Sequence, residues 1–158
     1  DQHYIEKLSA SNASNFDPGN NNTGAIITFG AAQGTTVNDV TIDVAGKVTF
    51  NVTGSYNIQQ IYYGQAAINN IPILNFKTVK NGSDQIGPTS TTRFKSNNSL
   101  ERHRIEINSL IDVIAGSYYH FWVQNPTSGA AGQLSNQVTD AAWGTDVPCA
   151  QLIITKLQ

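Results

Sequence analysis

The side chains that could carry catalysis in this sequence are few and scattered. Its three histidines are His3 near the start, His103 between two arginines, and His120 within an aromatic run. None belongs to a His-Glu-x-x-His pattern, and the sequence has neither a Gly-x-Ser-x-Gly elbow nor a phosphate-binding glycine loop. A glycosidase pair among the eleven Asp and Glu residues stays open, because sequence does not give the distance between two carboxylates. We expect a protein that is not an enzyme and needs no cofactor.

Hard oxygen ligands are concentrated in one segment near the N-terminus. Asp17, Asn20, Asn21 and Asn22 offer the oxygens that calcium prefers, but without the spacing of an EF-hand. Asx-turns explain the same residues without a cation, because Asp and Asn side chains bond to the nearby backbone. No Cys and His spacing suits zinc. We expect no metal site, although calcium binding is an open alternative.

Cys149 is the only cysteine, which excludes an intrachain disulfide. It stands beside a segment rich in Leu and Ile, where a lone cysteine usually serves as a small buried hydrophobe. That is the interpretation we favour, and a reactive thiol is the alternative.

Four basic residues within twelve positions form the first candidate ligand-binding surface: Arg93, Lys95, Arg102 and Arg104. Arg102 and Arg104 share one side of a predicted strand, because strand side chains alternate between two sides. Together with the other two they are candidates for a patch that binds an anionic glycan or lipopolysaccharide. The simpler interpretation is a solvated strand surface whose cations pair with neighbouring glutamates.

Trp143 is the second candidate for ligand binding. It lies in the segment Ala-Ala-Trp-Gly-Thr-Asp, beside a glycine. A tryptophan in such a loop either stacks on a sugar ring or plugs one end of the domain. The sequence leaves both interpretations open.

Composition excludes several classes of partner. A chain of 158 residues and 17.0 kDa fits a single domain. A net charge of −2 with 13% charged residues lacks the basic excess that neutralises nucleic-acid phosphates. No apolar run approaches the roughly 20 residues of a membrane helix. We expect binding neither to nucleic acid nor within a membrane.

Short segments rich in β-branched and aromatic residues, separated by turn residues, follow one another from Ala25 onward. They predict strands over residues 25–29, 40–44, 47–52, 56–63, 71–79, 91–95, 102–108, 117–124 and 150–157. Alternation is clear in Tyr119, Phe121 and Val123, and Asn81-Gly82 is typical of a tight hairpin turn. This pattern predicts an all-β, antiparallel two-sheet sandwich, with a jelly roll as the leading version.

The first 24 residues differ in character from the rest. Residues 4–8 could form a short strand or a turn of helix, but residues 9–23 have an Asn, Ser and Gly content typical of a segment that buries too little apolar surface to order itself. We therefore predict a linker or stalk-proximal segment over residues 1–24 and a head domain over residues 25–158.

Aromatic residues outside the predicted core point to a covered surface. Tyr62 and Tyr63 are adjacent, so one of them must face away from the core, and Tyr118, His120 and Trp122 alternate with core residues. Aromatic residues on the second side of a strand favour a subunit interface. A sandwich covered on both sides by loops is the alternative.

The segment Gly54-Ser55-Tyr56 with Ile58 resembles the Gly-x-Tyr strand of the tumour necrosis factor and complement globular-head families. Residues 110–116 and the strand after them resemble the Leu…Gly-Asp turn of those families, with Ser117 in place of the acidic residue. Residues 149–154 take the place of their final strand, with small residues where an aromatic and a glycine usually stand. The resemblance covers residues 26–157.

This resemblance implies a jelly roll that forms a tight homotrimer with buried aromatics between subunits. Bacterial collagen-like surface proteins and phage or viral spikes carry similarly divergent heads. We therefore expect a trimeric head on a virion, or at an extracellular or cell surface, that attaches to a host receptor or glycan. The alternatives are a structural head that trimerises a stalk or collagen-like protein, and a soluble sugar-binding lectin.

Overall fold

Eleven β-strands make up two antiparallel sheets in the part of the chain that the structure, a computed structural model, describes: residues 4–33, 38–98, 101–136 and 147–158. The strands are β1 (Tyr4–Asn12), β2 (Ala25–Ile26), β3 (Val40–Ile42), β4 (Val48–Phe50), β5 (Gly54–Ala66), β6 (Ile73–Lys80), β7 (Asp84–Arg93), β8 (His103–Val113), β9 (Tyr118–Gln124), β10 (Gly132–Leu134) and β11 (Ala150–Leu157). No helix occurs among these described residues. The predicted all-β, two-sheet sandwich is confirmed.

The first sheet is built around β5, the longest strand. β11 and β10 pair with one edge of β5, β8 pairs with its other edge, and β1 pairs with the far edge of β11. The second sheet has the order β3-β4-β9-β6-β7, and β2 pairs with β9 beyond the end of β4. β1 lies beside β3 at one flank of the sandwich, and β7 lies beside β8 at the other.

The core lies between the sheets because inward residues alternate with outward ones. Tyr119 on β9 is buried, and its ring packs edge-on against Phe50 with 5.1 Å between centroids. Phe50 in turn packs against Tyr56 of the first sheet at 4.8 Å. Aromatic pairs of this kind add about 0.5–1.5 kcal/mol beyond the area they bury. The alternation predicted for β9 is confirmed.

Tyr56, the tyrosine of the Gly-x-Tyr step, is fully buried, and its polar end has a partner. Its hydroxyl donates a hydrogen bond to the backbone carbonyl of Val52, with 2.6 Å between the oxygens. A buried phenol without such a bond would carry the desolvation cost of an unsatisfied donor. The bond joins the start of β5 to the segment that leaves β4.

Two features shape the edge of the second sheet at β7. Asn81 and Gly82 both have positive φ, 52° and 80°, and form the tight turn between β6 and β7 that the sequence predicts. Further along, Phe76 pairs with Ser90 but Thr78 pairs with Ile86. Three residues of β7 therefore stand against one residue of β6, which makes a β-bulge in the edge strand.

The linker predicted over residues 1–24 is wrong for its first half. Residues 4–12 form β1, which pairs along its length with β11, and its side chains Leu8 and Ala10 belong to the core. Phe16 then exchanges two backbone hydrogen bonds with Leu134, so the segment after β1 also docks on the sandwich. The folded domain therefore includes residues that composition assigned to a linker.

Replacement of Leu8 by Ala tests whether β1 is part of the folded domain. Leu8 is 3% exposed, so we expect Leu8→Ala to lower the free energy of unfolding by about 2–5 kcal/mol. Urea unfolding measures this change. Glu6→Ala, at an exposed position of the same strand, is the matched control and should change stability by less than about 0.5 kcal/mol. Equal and small effects of the two variants would contradict the placement of β1.

Candidate functional site

The structure separates the basic residues that the sequence grouped. Arg104 faces outward from the first sheet, because the next residue, Ile105, is buried in the core. Arg93 faces outward from the second sheet, because Phe94 beside it is buried. Lys95 is exposed just beyond β7. The single basic patch is therefore wrong, since the sandwich lies between its two β-strand arginines.

Arg104 is paired with a carboxylate on its own strand. Its Nη1 lies 2.6 Å from Oε2 of Glu106, whose Oε1 accepts hydrogen bonds from Gln59 at 2.7 Å and Asn108 at 3.2 Å. The bonds from Gln59, Asn108 and Arg104 lower the pKa of the Glu106 carboxyl to about 2. The simpler interpretation, a solvated surface with its charges paired, holds for Arg104.

Arg102 and His103 have contacts of their own before and at the start of β8. Arg102 donates from Nε and Nη2 to the carbonyl oxygen of Asn136, at 3.2 and 3.0 Å. The His103 ring stacks on Phe94 with 4.3 Å between centroids, and its Nε2 lies 3.4 Å from Oε1 of Glu101. These contacts stabilise the connection between β7 and β8.

The predicted interface residue Tyr62 lies inside its own domain. The side chain is fully buried, its ring stacks on Phe76 with centroids 4.8 Å apart, and its hydroxyl donates to Oε1 of Gln60 at 2.6 Å. Its assignment to a subunit interface is wrong, because the core of the same chain already covers it. Tyr63, its neighbour, is half-buried and faces outward from the first sheet beside Arg104.

Tyr118, His120 and Trp122 line the outward side of β9, and each is half-buried. The rings of Tyr118 and His120 pack edge-on at 5.9 Å. The ammonium group of Lys47 lies 4.5 Å from the Tyr118 ring centroid, and that of Lys77 lies 4.9 Å from the Trp122 ring centroid. We term these five residues the β9 stripe. The assignment of Tyr118, His120 and Trp122 to a trimer contact stays a prediction.

The oxygen-rich loop uses its side chains in local bonds. The carboxylate of Asp17 and the amide oxygen of Asn21 accept hydrogen bonds from backbone N–H groups two or three residues further on. Asn22 accepts from the backbone of Thr127, and Asn20 donates to carbonyl groups near residue 125. Among the described residues no three His, Cys, Asp or Glu side chains are grouped to bind a metal. The geometry is that of the Asx-turn interpretation.

Cys149 is fully buried, as the sequence predicts. Burial raises the pKa of its thiol to about 12, which disfavours the thiolate that a reactive cysteine needs. Trp143, the other candidate for sugar binding, lies outside the described residues. In the described part of the chain, no helix has the length and apolarity to span a membrane.

A shallow pocket of about 160 Å³ opens beside Trp122, and the sequence did not predict it. Lys77, Asn75 and Gln124 contribute to its lining. Alternation along β9 puts Trp122 and Gln124 on one side, but the two β6 residues join them only through the pairing of β6 with β9. The register between two paired strands cannot be predicted from the residues of either strand alone, so the sequence contains no signal for this site.

Comparisons with known proteins identify the fold. No protein-family model and no curated protein sequence matches the chain. Among solved structures, the chain is similar to the globular domain of zebrafish complement 1qA protein, with a TM-score of 0.52, 10% sequence identity and 95% of each chain covered. At this identity the similarity shows the fold alone. It confirms the jelly-roll sandwich that the sequence predicts.

The hydrogen bonds to Glu106 predict a pH dependence. Its folded-state pKa of about 2 lies below the ordinary 4.5, so its contribution to stability is present above pH 4.5 and is lost as pH falls toward 2. We expect Gln59→Ala to raise the Glu106 pKa toward 4.5, because a donor to the carboxylate is removed. Carboxyl-carbon NMR titration measures the pKa. Gln151→Ala, on β11 of the same sheet, is the control, and an equal pKa in all three proteins would contradict this assignment.

Proposed function

We propose that this chain is the non-enzymatic head of a surface or spike protein. It assembles as a homotrimer on a virion, or at an extracellular or cell surface, and it attaches the carrier to a host receptor or glycan. The jelly-roll fold supports a head domain but does not by itself fix a function. One observation carries the proposal: apolar side chains are exposed together at one end of the first sheet.

This basal apolar set comprises Ile5, Val52, Leu110 and Ile114. Leu110 is 65% exposed and Ile114 is 70% exposed, and Ile5 and Val52 are each 37% exposed. All four lie near the start of β5. Leu110 pairs with Asn57 of β5, and β1 begins and β11 ends at this end of the sheet. Half of the exposed large hydrophobic residues in the described chain are thus at one end. Apolar surface grouped in this way is typical of an interaction site.

The outward side of the first sheet suits burial against a second subunit. Ile61 on β5 is 7% exposed although it faces outward, and Ile153 and Tyr63 lie near it half-buried. The charges of Arg104 and Glu106 on this side are already joined in one ion pair. Asp112 on the same side accepts a hydrogen bond from the Ser55 hydroxyl. Covering the surface therefore keeps the Arg104 charge paired, and the main cost is the burial of the Asp112 carboxylate.

A trimer needs two different contact patches on each subunit, because a closed ring of three joins unlike surfaces head to tail. The outward side of the first sheet supplies one patch, and the flank where β7 lies beside β8 borders a second. Tyr4 pairs with Leu157, so β1 begins at the basal end. A stalk joined ahead of β1 would enter the trimer beside the basal apolar set.

Replacement of Leu110 by Asp tests the assembly. We expect the unaltered chain to have three times the chain mass by light-scattering chromatography, and Leu110→Asp to shift it to one chain mass at the same concentration, because a carboxylate would be buried in the contact. Ile68→Asp is the matched control. Ile68 is 57% exposed in the turn after β5, roughly 30 Å along that strand from the basal end.

Two outcomes would contradict the assembly. A single-chain mass for the unaltered protein over the whole dilution series would overturn the homotrimer. Equal dissociation by Leu110→Asp and Ile68→Asp would remove the basal apolar set from the contact. A trimer that binds no receptor or glycan would favour a structural head that registers a stalk.

A further inference from the structure

We propose that the outward side of the second sheet is a binding site for an anionic oligosaccharide, centred on Trp122. The proposal rests on the attachment function, for which it names a site and a ligand chemistry. All of its contacts nevertheless lie within one subunit, so the site and the trimer are tested separately.

The register of the second sheet sets the geometry of this site. Three consecutive rows of outward-facing residues cross β7, β6 and β9. They are Arg93 with Ile73, then Thr91 with Asn75 and Gln124, then Lys77 with Trp122. The residues between these rows, Leu74 and Phe76, are buried in the core, which confirms that the rows face solvent.

The middle row is an ordered chain of polar groups. The Thr91 hydroxyl donates to Oδ1 of Asn75 at 2.9 Å, and Nδ2 of Asn75 donates to Oε1 of Gln124 at 2.8 Å. The Gln124 amide nitrogen donates to the carbonyl of Asn22. An amide oxygen has two lone pairs and an amide nitrogen has two hydrogens. The row therefore presents fixed donors and acceptors to sugar hydroxyl groups without having to order itself first.

Trp122 supplies the apolar surface beside this row. Its ring is half-buried, and it borders the 160 Å³ pocket with Asn75 and Gln124. A sugar ring has an apolar C–H side and a polar rim, which matches an indole next to amides. The Lys77 ammonium group lies over the indole, and such a contact is weak at an exposed site. A ligand can therefore displace the Lys77 ammonium group from the indole and stack on the ring. The ammonium group then lies beside the negative charge of the ligand.

Charge selects the class of sugar. Lys77 and Arg93 belong to the three rows, and no Asp or Glu does. A carboxylate across the flank, that of Glu106, lines a second pocket with Lys77 but is paired with Arg104. Lys77 and Arg93 can therefore attract an anion and bind it by charge-assisted hydrogen bonds. The outward side of the first sheet differs, because Glu106 and Asp112 lie there. The carboxylate of a sialic or uronic acid and the sulfate of a sulfated sugar share the required chemistry.

The length of the β9 stripe favours an oligosaccharide over a single sugar. Tyr118, with the Lys47 ammonium over its ring, repeats the arrangement of Trp122 and Lys77 four residues away. Four residues of strand span roughly 13 Å. One extended ligand can reach both aromatic and cationic pairs.

Calorimetric titration of the intact head tests the site with three oligosaccharides of equal length: sulfated, sialylated and neutral. We expect one or both anionic ligands to bind, with weaker binding at high salt, and the neutral one to show no heat. Lys77→Gln should weaken binding about tenfold or more, since one charge-assisted contact is lost. Lys95→Gln, an exposed lysine outside the three rows, is the matched control and should bind as the unaltered head does.

Fluorescence separates Trp122 from Trp143, the two tryptophans of the chain. We expect the ligand to change the emission of Trp143→Phe as it changes that of the unaltered head, and to leave that of Trp122→Phe unchanged. The conservative aromatic replacement and the surface variant Lys77→Gln keep the test independent of any folding defect. Binding of no anionic ligand, or a response lost only in Trp143→Phe, would overturn the site.

Failure of the site and failure of the trimer give different results. Lys77→Gln should leave the mass of the assembly unchanged, and a shift to a single chain would mean that a second copy covers this surface, which overturns the proposal. A trimer that binds no ligand would contradict the proposed site but not the assembly. A single chain that binds the ligand through Trp122 would contradict the homotrimer and support the site, as expected of a soluble lectin.

Discussion

The packing of Phe50, Tyr56 and Tyr119 between the sheets is the interaction on which the rest of the structure depends. Tyr56 extends from the first sheet into the second, and its hydroxyl bonds to the carbonyl of Val52, in the segment that crosses between them. This bond fixes where β5 starts relative to β4. Because strand side chains alternate with a period of two, fixing the inward residues also fixes which residues face solvent. Both outward surfaces are therefore set by three buried rings.

The two outward surfaces differ in chemistry. The first sheet presents isoleucines, amides and the ion pair of Arg104 with Glu106, together with the basal apolar set. The second presents aromatic rings with lysines over them and a row of bonded amides. A surface with apolar side chains and a paired arginine suits contact with another copy, and a cationic, aromatic surface suits a soluble anion. The full thickness of the sandwich separates the two surfaces, so contact with another copy at one would leave the other open to a ligand.

Sequence patterns within single segments predicted the fold, but they could not predict how different segments are placed relative to one another. The alternation of β9 and the Asn81-Gly82 turn are local, and both were predicted. The second half of β1 was assigned to a loop because an edge strand keeps a polar outward side, and its Ser and Asn residues have the composition of a loop. The basic patch failed because Arg93 and Arg104 are near in sequence but belong to different sheets. The pocket at Trp122 needed the register of β6 against β9, which no single strand contains.

The bulge in β7 also limits how copies of the protein can associate through their edge strands when they are crowded together. An edge strand with a straight row of free N–H and C=O groups is a template for lateral growth into cross-β fibres. Three residues of β7 stand against Lys77 alone, so that row is interrupted midway along the strand. An incoming strand would keep its pairing for only a few residues on either side of the interruption. Copies of this domain held close together can thus touch at this edge without fusing their sheets.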